Sequence, residues 1–293
     1  MTGMHRRPPR SRYRSLLVNG RFCEPTAAVN RFKGAYVGND ATGVESYRLL
    51  TPFNARDPQL VRVVRPTKPS SVRHHNFLYA LPVQAGLKSN YGDGLDVMQH
   101  LNVHNEYNVT IISPTFPMDP WYADNPRVPS IRYESMITGG LVPWIRRNFS
   151  LSHSEQNWLI GFSKSGLGAQ TLILKYPETF HYAASWDFPA NMSCYDQYGR
   201  SSKRCYGSDL NFQNHYRLTR HFVEMHRAPF LDSNRIWIGG YQTFEKDVLD
   251  YAALLTSAGI VHTSDLRSFE THRWDSGWMS SALEALPRTH SWS

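Results

Sequence analysis

The residues best suited to chemistry lie where a short apolar run ends in small residues around a serine. The run Trp158–Ile160 is followed by GFSKSG at positions 161–166. An apolar strand that turns at once into a helix needs a tight turn, and small neighbours leave room for the strained backbone of the serine. Such a turn presents the hydroxyl at the sheet edge, above the N-terminus of the helix. Ser163 is therefore the candidate nucleophile; an ordinary turn with a buried or capping serine is the alternative.

A serine hydroxyl becomes a good nucleophile only when a base takes its proton and a third group orients that base. Of the 13 histidines, His75 precedes a predicted strand and His262 lies at the start of one, so both belong to the opposite edge of the sheet. His272 follows the last predicted strand, over Val261–Phe269, and comes after Ser163 in the chain, as the order of an elbow-type serine site requires. His272 is the candidate base.

The acid that orients the histidine has two candidate positions. Asp187 directly follows the predicted strand Tyr182–Trp186, and Glu245 and Asp247 follow the next strand at the start of a predicted helix. The ends of neighbouring parallel strands meet at one edge, so a carboxylate on either could reach His272. Asp187 is the preferred acid, with Glu245 or Asp247 as the alternative and an incomplete triad as the third possibility.

An oxyanion that develops on a substrate carbonyl needs backbone N–H donors, normally from the residue after the nucleophile and from a loop after an earlier strand. In this sequence the first donor is Lys164. The second is Val83 or Gln84, because Pro82 has no N–H group to donate.

Short apolar runs alternate with helical patterns along most of the chain, which predicts an α/β protein with a mostly parallel sheet and helices on both faces. After the serine, a helix is predicted over Gly168–Tyr176. Ligands in this architecture gather at the carboxyl ends of the strands, where Ser163, Asp187 and His272 are expected.

Composition limits the function. With 293 residues and 41% hydrophobic content, the chain predicts one large domain over residues 13–293 after a flexible basic tail over residues 1–12. The net charge of +8 is scattered apart from that tail, and no nucleic-acid-binding motif occurs, so no nucleic-acid partner is expected. No metal-binding spacing appears, and no metal or cofactor is expected. The sequence does not indicate an oligomeric state.

The sequence also predicts the location of the protein and the redox state of its cysteines. Apolar runs of the length of a membrane span and a secretory apolar core are not found, so a soluble protein without a membrane span is expected. The cytoplasm is the default location, and secretion is the alternative left open. Cys194 and Cys205 flank a polar loop and could pair in an oxidising compartment, but reduced thiols are expected.

Several segments resemble the putative-esterase branch of the α/β hydrolases, which includes esterase D, feruloyl and acetyl-xylan esterases and the mycobacterial antigen 85 mycolyltransferases. The similarity spans roughly residues 60 to 287. Its most specific parts are GFSKSG at 161–166, KYPETF at 175–180 and YAAS at 182–185; the segments YES at 133–135, LVPWI at 141–145 and HRWD at 272–275 are also similar. The resemblance implies an α/β-hydrolase fold, with Ser163 as nucleophile and His272 as base.

The chain departs from the family at two places. Gln242 or Thr243 stands where the family has its acid, and Pro82-Val83-Gln84 stands where the family has a glycine-containing oxyanion loop. Two functions are therefore open. The first is a serine carboxylester hydrolase that acts through an acyl-enzyme on a small-molecule or sugar ester. The second is a catalytically impaired hydrolase domain that binds a ligand or partner in the same cleft.

Overall fold

The computed structural model of the protein describes residues 17–18, 21–22, 33–53, 58–67, 75–88, 90–152, 154–240, 242–266 and 269–286. The basic tail predicted over residues 1–12 lies outside these ranges, and the single domain over 13–293 stays a prediction. Within the described ranges, no helix has both the length and the apolarity needed to cross a membrane.

Strands form one large sheet and one small sheet. The small one pairs β1 (Leu17–Val18) with β2 (Arg21–Phe22) in antiparallel fashion. In the described part of the chain, the large sheet has nine strands in the order β11-β10-β9-β8-β6-β7-β5-β4-β3. They are β3 (Lys33–Asn39), β4 (Glu45–Leu50), β5 (Gln59–Val64), β6 (Asn76–Ala80), β7 (Val109–Pro114), β8 (Asn157–Phe162), β9 (Tyr182–Trp186), β10 (Ile236–Gly239) and β11 (Thr263–Asp265).

The large sheet is parallel across the part that carries the candidate site. Strands β7, β6, β8, β9, β10 and β11 run parallel to one another, whereas β5, β4 and β3 form an antiparallel edge beside β7. Strands β6 to β9 are buried throughout, as expected for strands covered on both faces. The predicted α/β class with a mostly parallel sheet is confirmed.

The helices occupy the connections between these strands. They are α1 (Gly94–His100), α2 (Val103–Glu106), α3 (Tyr133–Met136), α4 (Val142–Phe149), α5 (Ser163–Lys175), α6 (Gly199–Tyr206), α7 (Asp209–His215), α8 (Arg220–His226), α9 (Glu245–Ser257) and α10 (Gly277–Glu284). A π-helical turn, Ile137–Leu141, joins α3 to α4, and a 3-10 turn, Ala228–Phe230, follows α8. Local chemistry fixes some ends: the Asp93 carboxylate accepts the N–H groups of Leu95 and Asp96 and so caps α1.

Two hydrophobic cores cover the two faces of the sheet. Successive residues of a strand point to opposite faces, and β8 shows the result. Leu159 packs in the same core as Leu172 of α5, while Ile160 packs in the other core with Met98 of α1 and Trp278 of α10. The sheet is therefore held rigidly between helices, which fixes the positions of its strand ends.

Three local predictions differ from the structure. The helix predicted over Gly168–Tyr176 begins earlier, at Ser163, because the chain turns directly from strand into helix. The strand predicted over Val261–Phe269 is too long: β11 covers Thr263–Asp265, since an edge strand that pairs only with β10 and is largely exposed has little burial to extend it. The exposed antiparallel strand β3 was not predicted at all, because its residues lack a buried face.

Candidate active site

The turn between β8 and α5 holds Ser163 in a rare backbone conformation. Its φ is +54°, in the left-handed region that non-glycine residues adopt at a cost of about 1–3 kcal/mol. The Ser163 N–H donates to the carbonyl oxygen of Asp187 at 3.1 Å, which ties the turn to the end of the neighbouring strand β9. Ser163 is partly exposed, although every residue of β8 before it is buried. The turn therefore presents a serine from a buried strand at the carboxyl edge of the sheet.

Close packing explains the small residues around Ser163. A Cβ atom on Gly161 would lie 2.6 Å from the carbonyl oxygen of Ser165, and one on Gly166 would lie 2.9 Å from Cβ of Phe188. The Ser165 hydroxyl is buried, accepts the Phe162 N–H at 3.1 Å and donates to the Phe162 carbonyl at 2.8 Å. The Ser165 side chain thus closes the first turn of α5 without leaving its buried hydroxyl unpaired.

Asp187 is the carboxylate that contacts His272. It directly follows β9, has a φ of +40° and is fully buried. One carboxylate oxygen lies 2.5 Å from His272 Nδ1. The two oxygens also accept three backbone N–H groups, from Gln242 at 3.1 Å, Thr243 at 3.2 Å and Phe244 at 2.7 Å.

These contacts determine the charge of Asp187. Burial by itself raises the pKa of a carboxyl group, but the hydrogen bonds from His272 and from the Phe244 and Gln242 N–H groups outweigh it, so the pKa of Asp187 is lowered from 3.8. Asp187 is therefore ionised at neutral pH and can only accept hydrogen bonds. In a neutral His272 imidazole, Nδ1 is then the nitrogen that donates to this carboxylate, which leaves the Nε2 lone pair available.

The alternative acids lie elsewhere. Glu245 is exposed in the first turn of α9, and the Asp247 carboxylate accepts the Asn191 N–H at 2.9 Å. The structure thus brings Asp187 to His272 and does not bring Glu245 or Asp247 there. The loop in which the family carries its acid instead contributes backbone N–H donors, from Gln242 and its neighbours, to an acid on the adjacent strand.

Aromatic rings surround His272, which is 17% exposed. Its ring centroid lies 5.0 Å from that of Phe162, 5.7 Å from Tyr91 and 5.8 Å from Phe244. Phe162 immediately precedes Ser163, so these contacts place the imidazole beside the serine turn.

The predicted oxyanion donors flank the same turn. Lys164 is the second residue of α5, and the first N–H groups of a helix have no acceptor within the helix. The loop that contains Val83 and Gln84 begins beside β8, where the Leu81 N–H donates to the Ile160 carbonyl at 3.0 Å. Both Val83 and Gln84 are buried.

The contacts of the segment 116–122 with the loop 82–86 and with Lys164 were not predicted. The Tyr122 hydroxyl donates to the Pro82 carbonyl, and the Gly86 N–H donates to the Phe116 carbonyl at 2.8 Å. Asp119 accepts the Ala85 N–H at 3.0 Å with one oxygen. The other oxygen pairs with Lys164 Nζ at 3.0 Å. The sequence shows only a loop rich in proline, aspartate and aromatic residues here, and that composition does not reveal such contacts.

An aromatic wall, made of Trp121, Tyr198 and Phe244, extends from His272 along one side of the site. The ring of Trp121 stacks on that of Tyr198 with centroids 5.2 Å apart, and Tyr198 contacts Phe244 at 6.1 Å. Trp121 Nε1 also donates to the Ser201 hydroxyl at 3.1 Å. The wall therefore joins the segment 116–122 to the segment that contains Tyr198 and Ser201.

The remaining candidate groups are the cysteine thiols and side chains that could bind a metal. Cys194 and Cys205 are both free thiols in the structure. Among the described residues, no three side chains of metal-binding type are grouped closely enough to hold an ion.

The parallel sheet, the strained serine directly after a central strand and the histidine–carboxylate pair at the same edge are the features of an α/β hydrolase. The model of the family described as "Putative esterase" matches residues 120–288, which is more than half of the chain. The chain belongs to the putative esterase family, and the resemblance inferred from its motifs is confirmed.

Solved structures support the fold assignment. MPT51 of Mycobacterium tuberculosis is 12% identical, with 86% of this chain and 95% of that chain covered and a TM-score of 0.58. An S-formylglutathione hydrolase from Agrobacterium tumefaciens is 16% identical, with 81% of this chain and 92% of that chain covered and a TM-score of 0.60. A ferulic acid esterase is 14% identical, with 87% of this chain and 96% of that chain covered and a TM-score of 0.59. At such identities these structures establish the α/β-hydrolase fold only. A comparison with curated protein sequences found no match.

Proposed function

We propose that this protein is a serine carboxylester hydrolase that acts through an acyl-enzyme, with Ser163 as nucleophile, His272 as general base and Asp187 as the orienting acid. The observation that carries the proposal is the 2.5 Å contact between His272 Nδ1 and a buried Asp187 carboxylate beside a serine with a φ of +54°. Family membership supports ester hydrolysis as the reaction class.

The protonation states define the first chemical step. Asp187 holds the proton of His272 on Nδ1, so Nε2 can take the proton of the Ser163 hydroxyl as its oxygen bonds to the ester carbonyl carbon. The imidazolium that forms is stabilised by the Asp187 carboxylate. It then gives the proton to the departing alkoxide when the carbon–oxygen bond breaks, and an acyl group remains on Ser163.

The second step reverses these roles. Water enters after the alcohol has left, and His272 takes one of its protons as the oxygen attacks the acyl carbon. The proton returns to the Ser163 oxygen when the acyl bond breaks, and the carboxylic acid leaves. In both steps the negative carbonyl oxygen is stabilised by the N–H group of Lys164 and by that of Val83 or Gln84.

The proposed substrate is a small-molecule or sugar ester. The aromatic wall supports this choice, because rings such as those of Tyr198 and Phe244 offer flat apolar surface beside the reacting groups. The ferulic acid esterase and the S-formylglutathione hydrolase with the same fold act, by their names, on esters and thioesters of small molecules.

The decisive test compares wild type with Ser163→Ala on a short p-nitrophenyl ester. Hydrolysis should disappear in Ser163→Ala, while Ser280→Ala, which changes an exposed serine of α10, should retain wild-type activity. Circular dichroism spectra of all three proteins should agree. Equal activity in wild type and Ser163→Ala would refute the proposal.

The alternative function, a binding module without catalysis, makes the opposite prediction for a covalent probe. A fluorophosphonate should label wild type stoichiometrically at Ser163 if the serine is activated by His272, and peptide mass spectrometry locates the label. Absence of both labelling and ester cleavage would favour the binding module.

A further inference from the structure

Asp119 connects the two pieces of chain that carry the proposed oxyanion donors. One of its oxygens accepts the Ala85 N–H at 3.0 Å, and Ala85 directly follows Gln84. The other oxygen pairs with Lys164 Nζ at 3.0 Å, and Lys164 directly follows Ser163. A single carboxylate thus bonds to Lys164, which carries one proposed donor, and to Ala85, which directly follows the loop residues that carry the other.

The loop 82–86 is held mainly from one side. Its contacts with the segment 116–122 are the Tyr122 hydroxyl on the Pro82 carbonyl, the Gly86 N–H on the Phe116 carbonyl, and the Asp119 carboxylate on the Ala85 N–H. Of these three contacts, the one through Asp119 also extends to α5. It therefore links the loop to the start of the helix.

The ion pair is poorly suited to stabilising the fold. The side chains of Asp119 and Lys164 are 35% and 19% exposed, and ion pairs near solvent contribute little to folding stability. The ion pair is better suited to positioning, because a catalytic constellation must be held within about 0.5 Å of its productive arrangement. The Lys164 ammonium group is also fixed from a second side, since it lies 5.5 Å from the centre of the Trp121 ring.

We propose that Asp119 is a positioning residue of the oxyanion hole, which it holds at its working width by bonding to Ala85 on one side and Lys164 on the other. This inference rests on the proposed esterase function. Asp119 neither touches the substrate nor transfers a proton. Lys164 has two tasks: its N–H group serves the oxyanion, and its ammonium group neutralises a carboxylate that would otherwise repel the developing negative charge.

The test is a set of kinetic measurements on the full chain with a short p-nitrophenyl ester. Asp119→Ala should lower kcat about 10- to 100-fold with KM within about threefold, because only stabilisation of the transition state is lost. Asp119→Asn keeps an oxygen that can accept the Ala85 N–H group and should lose less. Glu224→Gln, which removes an exposed ion pair with Arg220 on α8, is the matched control and should behave as wild type.

Charge coupling gives a second and independent readout. Lys164→Met leaves the Asp119 carboxylate uncompensated beside the oxyanion, so its kcat should be lower than that of the double variant Asp119→Asn/Lys164→Met. If both residues had a purely structural role, the double variant would instead have a lower kcat than either single variant. Thermal midpoints of these variants should stay close to that of Glu224→Gln.

Hydrogen exchange tests the contact itself, without reference to activity. The amides of residues 83–86 should exchange faster in Asp119→Ala than in wild type, with α5 unchanged. If wild type is active and Asp119→Ala has the same kcat, the role proposed for Asp119 is wrong, but the proposed esterase function stands. Unchanged exchange in this loop would have the same consequence. Absence of Ser163-dependent turnover in wild type would overturn the proposed function and this inference with it.

Discussion

Two carboxylates flank the serine turn, and their environments differ sharply. Asp187 is fully buried and accepts hydrogen bonds from His272 and three backbone N–H groups. Asp119 is 35% exposed and accepts one backbone N–H group and the Lys164 ammonium group. The side of the site proposed to control proton transfer is therefore buried, whereas the side proposed to receive the oxyanion is held by a partly exposed contact.

The degree of burial decides how each carboxylate can act. A buried carboxylate with a full set of donors keeps its charge and fixes the tautomer of His272, so its effect is electrostatic and does not depend on salt. The charge of the Asp119 carboxylate is neutralised by Lys164 and partly screened by solvent, so in the intact pair Asp119 acts by holding its neighbours in place.

The largest effect is expected on the buried side. Asp187→Asn should lower kcat about 10⁴-fold, as removal of the orienting acid does in serine proteases, because the amide no longer selects the tautomer with the proton on Nδ1. Steady-state kinetics on a p-nitrophenyl ester measure this. Glu245→Gln and Asp247→Asn should stay within about threefold of wild type. A comparable loss of kcat in either of these two variants would assign the role of orienting acid to that residue and not to Asp187.

The acid sensitivity of folding should depend on Asp187. The pKa of Asp187 is lowered from 3.8, so its ionised form stabilises the folded state at pH values above 3.8, and this stabilisation is lost as the pH falls through the lower folded value. At pH 7, Asp187→Asn should reduce the free energy of unfolding by about 1–3 kcal/mol. Urea unfolding curves should show that the gap to wild type closes below about pH 4. A gap of constant size down to pH 2 would contradict the assignment.

A smaller effect is expected on the oxyanion side at Tyr122. Tyr122→Phe removes the hydroxyl that holds the Pro82 carbonyl but leaves the Asp119 contacts in place, so kcat should fall only about tenfold with little change in KM. Single-substrate kinetics give the result. A loss as large as that of Asp187→Asn would show that the loop depends on Tyr122 more than on Asp119.

The smallest effect is the salt dependence of the exposed pair. Between 0.1 M and 1 M salt the screening length falls from about 10 Å to about 3 Å, so wild-type kcat on a neutral ester should fall about twofold as the pair of Asp119 and Lys164 weakens. The double variant Asp119→Asn/Lys164→Met should show no such fall. Equal salt dependence in both proteins would place the sensitivity elsewhere.

Much of the fold was predictable because its signals are local. The run before Ser163 is apolar and the residues around it are small, which predicts a buried strand and a tight turn, and both are present. β3 escaped prediction because an exposed edge strand has no buried face to leave a pattern. β11 was overestimated because the apolar residues at its ends do not remain in the sheet.

For the site, the sequence by itself selected Ser163 and His272, since residue order and position after a strand are properties of the chain. It left the acid open between Asp187, Glu245 and Asp247, because carboxylates after neighbouring strands look alike until the loops are folded. Only the tertiary structure brought Asp187 to His272 and turned the backbone of the loop at Gln242 towards it. The role inferred for Asp119 likewise depends on contacts between segments far apart in the chain, which no local pattern encodes.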